Sequence, residues 1–172
     1  MIIINTGDGK GKTTAALGQA LRAVGEGKEV LMIQFIKGPW KSGEDKSAKF
    51  LHPHFELRKM GKGFVGILGD TLSRAEHEKA AREALAIAKA EAEKGIWDML
   101  ILDEVNNALH LELISLGEVL DFIDRYPKDK HLILTGRDAT EAIIERADIV
   151  TEMREIKHIF REGVKAKRGI EY

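Results

Sequence analysis

Thr6-Gly7-Asp8-Gly9-Lys10-Gly11-Lys12-Thr13-Thr14 follows three consecutive isoleucines and precedes a run with helical periodicity. Strand, glycine-rich turn and helix in that order read as a phosphate-binding loop. Glycines let backbone N–H groups turn inward around phosphate oxygens, and a helix N-terminus adds partial positive charge behind them. Lys12 is then expected on the phosphates, and Thr13 is expected to offer its hydroxyl to Mg²⁺ or a related divalent cation. The usual pattern is G-x-x-x-x-G-K-[ST], and Thr6 stands where its first glycine would be. Gly7 and Gly9 still make the turn feasible. The alternative is a glycine-rich turn that binds nothing.

Working outward, residues 1–5 form an unbroken apolar run of the kind buried on both faces of a parallel sheet. A helix is expected over residues 12–24, with Ala16, Leu17, Ala20, Leu21 and Val24 on one face and Gly25 as its left-handed cap. Residues 30–35 supply a second strand, and residues 36–44 are loop by their Gly and Pro content. A short strand at residues 55–58 leads into Met60-Gly61-Lys62-Gly63-Phe64-Val65-Gly66. This stretch reads either as a mobile lid with an apolar finger, Phe64, or as a connector whose Phe64 plugs the core. Ser73-Arg74-Ala75-Glu76 matches a capping box, so a long helix starts there and runs to about Lys94, with Gly95 closing it.

Met99-Leu100-Ile101-Leu102-Asp103-Glu104 reads as a buried strand delivering two carboxylates to its carboxyl end, where a phosphate loop would place a metal ion. A helix at residues 115–125 and a strand at residues 131–134 follow, ending in Thr135-Gly136-Arg137. Arg137 falls on the same rim as Lys12 and Asp103, as a phosphate or carboxylate clamp or as a surface ion pair. A short helix at residues 140–147 and a strand at residues 149–153 complete the alternation. The expected class is α/β: a largely parallel sheet flanked by helices, in a three-layer sandwich like that of P-loop NTPases.

At 172 residues the chain fits one domain, with a basic tail from about residue 154 that carries Arg154, Lys157, Arg161, Lys165, Lys167 and Arg168. The formal net charge of −1 gives no global reason to expect a nucleic-acid partner. Without cysteine, disulfides, thiolate nucleophiles and cysteine metal sites are excluded. No apolar run approaches the roughly 20 residues of a membrane span, and Met1 leads directly into the first strand, so a cytoplasmic protein is expected. His52-Pro53-His54 is the only close histidine pair, and nothing at ligand spacing completes a tetrahedral set.

The phosphate loop Thr6 to Thr14, Gln34-Phe35-Ile36-Lys37-Gly38, Gly43-Glu44, Gly63-Phe64, Leu102-Asp103-Glu104, Thr135-Gly136-Arg137 and the closing Val164-Lys165-Ala166-Lys167-Arg168-Gly169-Ile170-Glu171-Tyr172 together resemble the ATP:cob(I)alamin (corrinoid) adenosyltransferases of the phosphate-loop type. In that family a threonine at the position of Thr6 is normal. The resemblance implies transfer of the 5′-deoxyadenosyl group of ATP to the cobalt of a reduced corrinoid. It also implies a divalent cation held by Thr13, Asp103 and Glu104, an external reductant for cobalt, and a homodimer. Lys12 and Arg137 would act on the phosphates, and Phe64 on the corrinoid. Two positions depart from the family pattern. Gly66 stands where many members carry tryptophan, and the chain begins at its first strand where many carry an extension that covers the site. Closure over the corrinoid is therefore expected to come from elsewhere or to be weaker. The rival expectations are a kinase or NTPase acting at the γ-phosphate and a nucleotide-gated binding protein.

Overall fold

Six short strands alternate with helices in the computed structural model, which describes residues 1–38, 40–67 and 69–171. Pro39 of the expected loop and Tyr172 of the closing motif lie outside the described residues. The order is β1 (Ile2–Thr6), α1 (Lys12–Gly25), β2 (Val30–Gln34), α2 (Glu44–Phe50), β3 (Phe55–Lys59), α3 (Arg74–Lys94), β4 (Met99–Asp103), α4 (Val105–His110), α5 (Leu116–Arg125), β5 (His131–Thr135), α6 (Glu141–Ile144) and β6 (Ile149–Glu152). The strands form one parallel sheet in the order β3-β2-β4-β5-β1-β6.

Alternation within the strands builds two cores. Leu31, Ile33, Leu100, Leu102, Leu132 and Leu134 face α3, α4 and α5, where Ala81, Ala84 and Ala88 let α3 lie close to the sheet. Val30, Met32, Met99, Ile101 and Ile133 face the opposite way, onto Ala16, Ala20 and Ala23 of α1. β2 and β4 are buried along their whole length, while the edge strand β6 is exposed throughout. This is the expected three-layer sandwich, with Thr6, Gln34, Asp103 and Thr135 all at the carboxyl ends of their strands. No described helix is long and apolar enough to cross a membrane.

Some boundaries differ from expectation. α1 continues through Gly25, and the left-handed residue is Gly27 at φ 70°. There, Gly27 N–H donates to Val24 O at 2.9 Å and Lys28 N–H to Ala23 O at 3.1 Å, the paired bonds that close a helix with glycine one position beyond the cap. α2 and α4 were not foreseen: α2 buries none of its residues, so it has no apolar stripe to betray it, and α4 is only six residues long. α3 starts and ends as expected, with the full capping box on Ser73 and Gly95 left-handed at φ 69°. Beyond β6 the described residues hold one 3₁₀ turn, Ile159–Glu162, and are mostly exposed.

One buried carboxylate ties the edge of the sheet to α3. Glu91 accepts from Arg58 Nη1 at 2.6 Å, Lys94 Nζ at 2.8 Å and Trp97 Nε1 at 2.9 Å. Burial would raise its pKa, but these donors outweigh burial and bring it down to about 2. Because the folded value lies below the ordinary 4.5, the stabilisation is present above that value and is lost as pH falls toward 2. Glu91→Ala, which strands the Arg58 and Trp97 donors, is expected to cost about 3 kcal/mol in urea unfolding at pH 7. The gap from wild type should narrow as pH falls from 5 toward 3; a gap that is constant with pH would refute the electrostatic account.

Candidate active site

Asp103 is fully buried at the end of β4, and side chains from three other elements hold its oxygens. Thr13 Oγ1, in the first turn of α1, donates to Oδ1 at 2.8 Å, and Thr135 Oγ1 at the end of β5 donates to the same oxygen at 2.7 Å. Gln34 Nε2, on the residue paired with Asp103 across the β2–β4 register, donates to Oδ2 at 2.9 Å. Thr135 Oγ1 also accepts from the backbone N–H of Glu104 at 2.8 Å, which helps hold Glu104 in a left-handed conformation at φ 64°. Burial, and next the charge of Asp103, push the Glu104 carboxyl up to about 7, against the opposing pull of Lys12, Lys37 and Arg137.

The phosphate loop leaves its helix end open. α1 has no acidic residue in its first turn, and its N-cap, Gly11, offers no side chain to the first N–H groups. Those donors and the helix dipole are thus free to meet an anion. Lys12 is buried and folds back so that Nζ donates to Gly7 O at 2.7 Å and Gly9 O at 2.8 Å. Burial pushes its ammonium below the ordinary lysine value, with Arg137 adding to this and the carboxylates of Glu104, Asp8 and Asp103 opposing it. Gly9 N–H donates to Met153 O at 2.6 Å, and a methyl group on Gly9 would come within 2.7 Å of that oxygen, so the loop is seated on the end of β6 as only glycine permits. Thr6 fits at the first loop position because its hydroxyl accepts from Ala139 N–H at 3.2 Å, bonding to the segment after β5.

Asp8 and Lys10 are exposed on the loop, and Thr14 Oγ1 donates to Gly11 O at 3.0 Å. Arg137 stands on the rim, 55% exposed, with Nη1 3.7 Å from Asp8 Oδ1 and its backbone N–H donating to Asn107 Oδ1 at 2.6 Å. Beside the acids, Lys37 is hydrogen-bonded to Glu44; burial would raise the Glu44 pKa, but that bond holds it below the ordinary glutamate range. Phe64 is not a core plug. It is 45% exposed and stacks on Trp40 with ring centroids 5.6 Å apart. The glycine-rich stretch is laid against the loop after β2 through Gly63 N–H to Ile36 O at 3.0 Å.

Among the described residues there is no cluster of three or more His, Cys, Asp or Glu able to ligate a metal alone. A divalent cation would therefore depend on Thr13, Asp103 and Glu104 together with substrate oxygens and water. The donor set fits that use: hydroxyl and carboxylate already meet, a second acid sits beside the first, and the buried Gln34 Oε1 has no partner among the described residues. His54 is instead paired with Glu29 at 2.8 Å. Gln34 and Thr135 were missed as site residues, although a polar residue closing a buried, mostly apolar strand is a legible signal.

Residues 1–172 match the family described as ATP:corrinoid adenosyltransferase BtuR/CobO/CobP. The chain is 43% identical to a corrinoid adenosyltransferase of Escherichia coli strain K12, over 100% of this chain and 85% of the relative. It is 40% identical to corrinoid adenosyltransferase CobA of Salmonella typhimurium, again over 100% of this chain and 85% of the relative. Among solved structures, the ATPase domains 2 and 3 of EssC from Geobacillus thermodenitrificans align with a TM-score of 0.50 at 11% identity, over 98% of this chain and 34% of that one, a likeness of fold.

Glu104 makes folding pH-dependent in the absence of cation and nucleotide. Its folded pKa of about 7 exceeds the ordinary 4.5, so the native state favours the protonated form and loses stability as pH rises between those values. Glu104→Gln should therefore gain on wild type between pH 5 and pH 8 by on the order of 1–3 kcal/mol, read from urea unfolding at the two pH values. Parallel pH dependences for the two proteins would contradict the raised pKa.

Proposed function

The chain belongs to the ATP:corrinoid adenosyltransferase family, and from that premise we propose that it transfers the 5′-deoxyadenosyl group of ATP to the reduced cobalt of a corrinoid and releases tripolyphosphate. The observation that carries the reading is the open N-terminus of α1 beside Lys12 and the buried Asp103, a site shaped for a phosphate chain. Cobalt(I) attacks C5′ of the ribose with its own electron pair. The bond from C5′ to the α-phosphate oxygen breaks, that oxygen keeps the bonding electrons, and cobalt ends formally as cobalt(III). No proton moves, so no general base is needed.

The protein's work is then orientation and charge stabilisation. Loop N–H groups hold the phosphate oxygens. Lys12 exchanges its bonds to Gly7 and Gly9 for bonds to phosphate, and Arg137 neutralises charge from the rim. A divalent cation held by Thr13, Asp103 and Glu104 would offset the negative charge growing on the departing chain. Phe64 meets the corrinoid, an external reductant supplies cobalt(I), and two copies of the chain associate.

One observation favours a second reading. Glu104, with a pKa near 7 beside the phosphate loop, is suited to take a proton from water, as an NTPase would require. Phosphorus NMR of the protein with ATP, Mg²⁺ and chemically reduced cobalamin separates the two. Tripolyphosphate formed in step with adenosylcobalamin supports the proposal, whereas ADP formed at a similar rate without corrinoid would replace it with an NTPase.

Lys12→Ala should lower kcat/KM for adenosyl transfer at least 100-fold, about 2.7 kcal/mol of transition-state stabilisation, while its far-ultraviolet circular dichroism stays that of wild type. Activity retained within tenfold would remove Lys12 from the mechanism.

A further inference from the structure

Trp40 and Phe64 are 58% and 45% exposed, and they lie stacked at a 30° interplanar angle. Two large aromatic side chains lie open to solvent side by side on the loops that follow the carboxyl ends of β2 and β3, an apolar surface that can receive an occupant. The other tryptophan, Trp97, is buried on Glu91.

The pair is fixed rather than loose. Lys59, the last residue of β3, has a largely buried side chain whose Nζ donates to Trp40 O at 2.9 Å, Ser42 Oγ at 3.0 Å and Asp45 Oδ2 at 2.6 Å. From the other side, Gly63 takes φ 116°, and a methyl group there would lie 2.7 Å from Trp40 Cη2, so the indole lies across bare backbone. The loop carrying Phe64 is anchored in turn on β2: Met60 and Gly61 N–H donate to Gln34 O at 3.0 and 3.1 Å, and the Gln34 side chain holds Asp103. Gln34 thus ties the loop of Phe64 to the acid of the phosphate site.

Resting on the adenosyl-transfer reading, we infer that Trp40 joins Phe64 in a ledge that receives the conjugated macrocycle of the corrinoid, and that Lys59 positions the Trp40 side of it. An aromatic face held in advance loses little freedom on binding and stacks on a planar ligand. The ledge recognises the corrinoid and is not expected to touch ATP.

Steady-state kinetics of Trp40→Ala, Trp40→Phe and Lys59→Met, each with a thermal melt, test this. Trp40→Ala should raise KM for reduced cobalamin about tenfold while KM for ATP stays within twofold. Trp40→Phe should keep KM for cobalamin within about threefold of wild type, and Lys59→Met should shift it in the same direction as Trp40→Ala. An unchanged cobalamin KM in Trp40→Ala, or equal rises in both KM values, would overturn the ledge. Equilibrium titration with cob(II)alamin, followed by its absorbance, reads the ledge without turnover. Wild-type binding that is weakened in Trp40→Ala and restored in Trp40→Phe supports the ledge even where no adenosylcobalamin forms, in which case only the transfer reading fails. Wild-type affinity in Trp40→Ala overturns the ledge even in an active enzyme.

Discussion

A carboxylate with no access to water is the constraint on which the site depends. Taking Asp103 out of solvent costs several kcal/mol unless its oxygens are fully hydrogen-bonded, and the donors come from α1, β2 and β5. Satisfying that one group therefore fixes where α1 begins relative to three strand ends. The phosphate loop, which spans the gap from β1 to α1, takes its shape from those two ends and from Met153 beneath it. Thr135 extends the same constraint one residue further by holding the Glu104 backbone in its left-handed turn. The network thus positions the second acid as well as the first.

The central strands were legible because burial on both faces leaves nearly continuous apolar runs, as in the Val30 to Ile33 and Met99 to Leu102 stretches. α3 was legible from both ends, its capping box and closing glycine being local chemistry. Elements with no such signal were missed: α2 has no buried face, and α4 occupies a single stretch after a residue at φ 64°. The order of strands, which places β4 and β5 between β2 and β1, is set by long-range pairing that no short window records.

The site divides along the same line. Lys12, Thr13 and Asp103 belong to contiguous motifs whose chemistry is written in their neighbours, and the structure brings Thr13 onto Asp103. Arg137 was expected on that rim and stands there, 3.7 Å from Asp8. Gln34, Thr135 and Lys59 act through strand register, and the stacking of Trp40 on Phe64 depends on two loops meeting. Gly66 leaves its position without an aromatic ring, and the ring beside Phe64 comes instead from a residue 24 positions before it in the chain, a relation visible only after folding.

The phosphate end of the site does not by itself decide which bond breaks. On the proposed reading, loop N–H groups, Lys12 and a cation would all stabilise negative oxygen wherever it develops, and would serve attack at phosphorus and attack at C5′ alike. Selection must lie in where the nucleophile is held. In this fold the phosphate end is built by β1, β4 and β5, while the stacked Trp40 and Phe64 are carried by the loops that follow β2 and β3. The two halves meet at Gln34, whose side chain serves Asp103 and whose carbonyl anchors the loop of Phe64. Because the ledge hangs from the backbone of that residue, its side chains can change without disturbing the hydrogen bonds around Asp103. On the proposed reading, the choice of acceptor and the handling of phosphate charge would thereby be carried by different loops of one sheet.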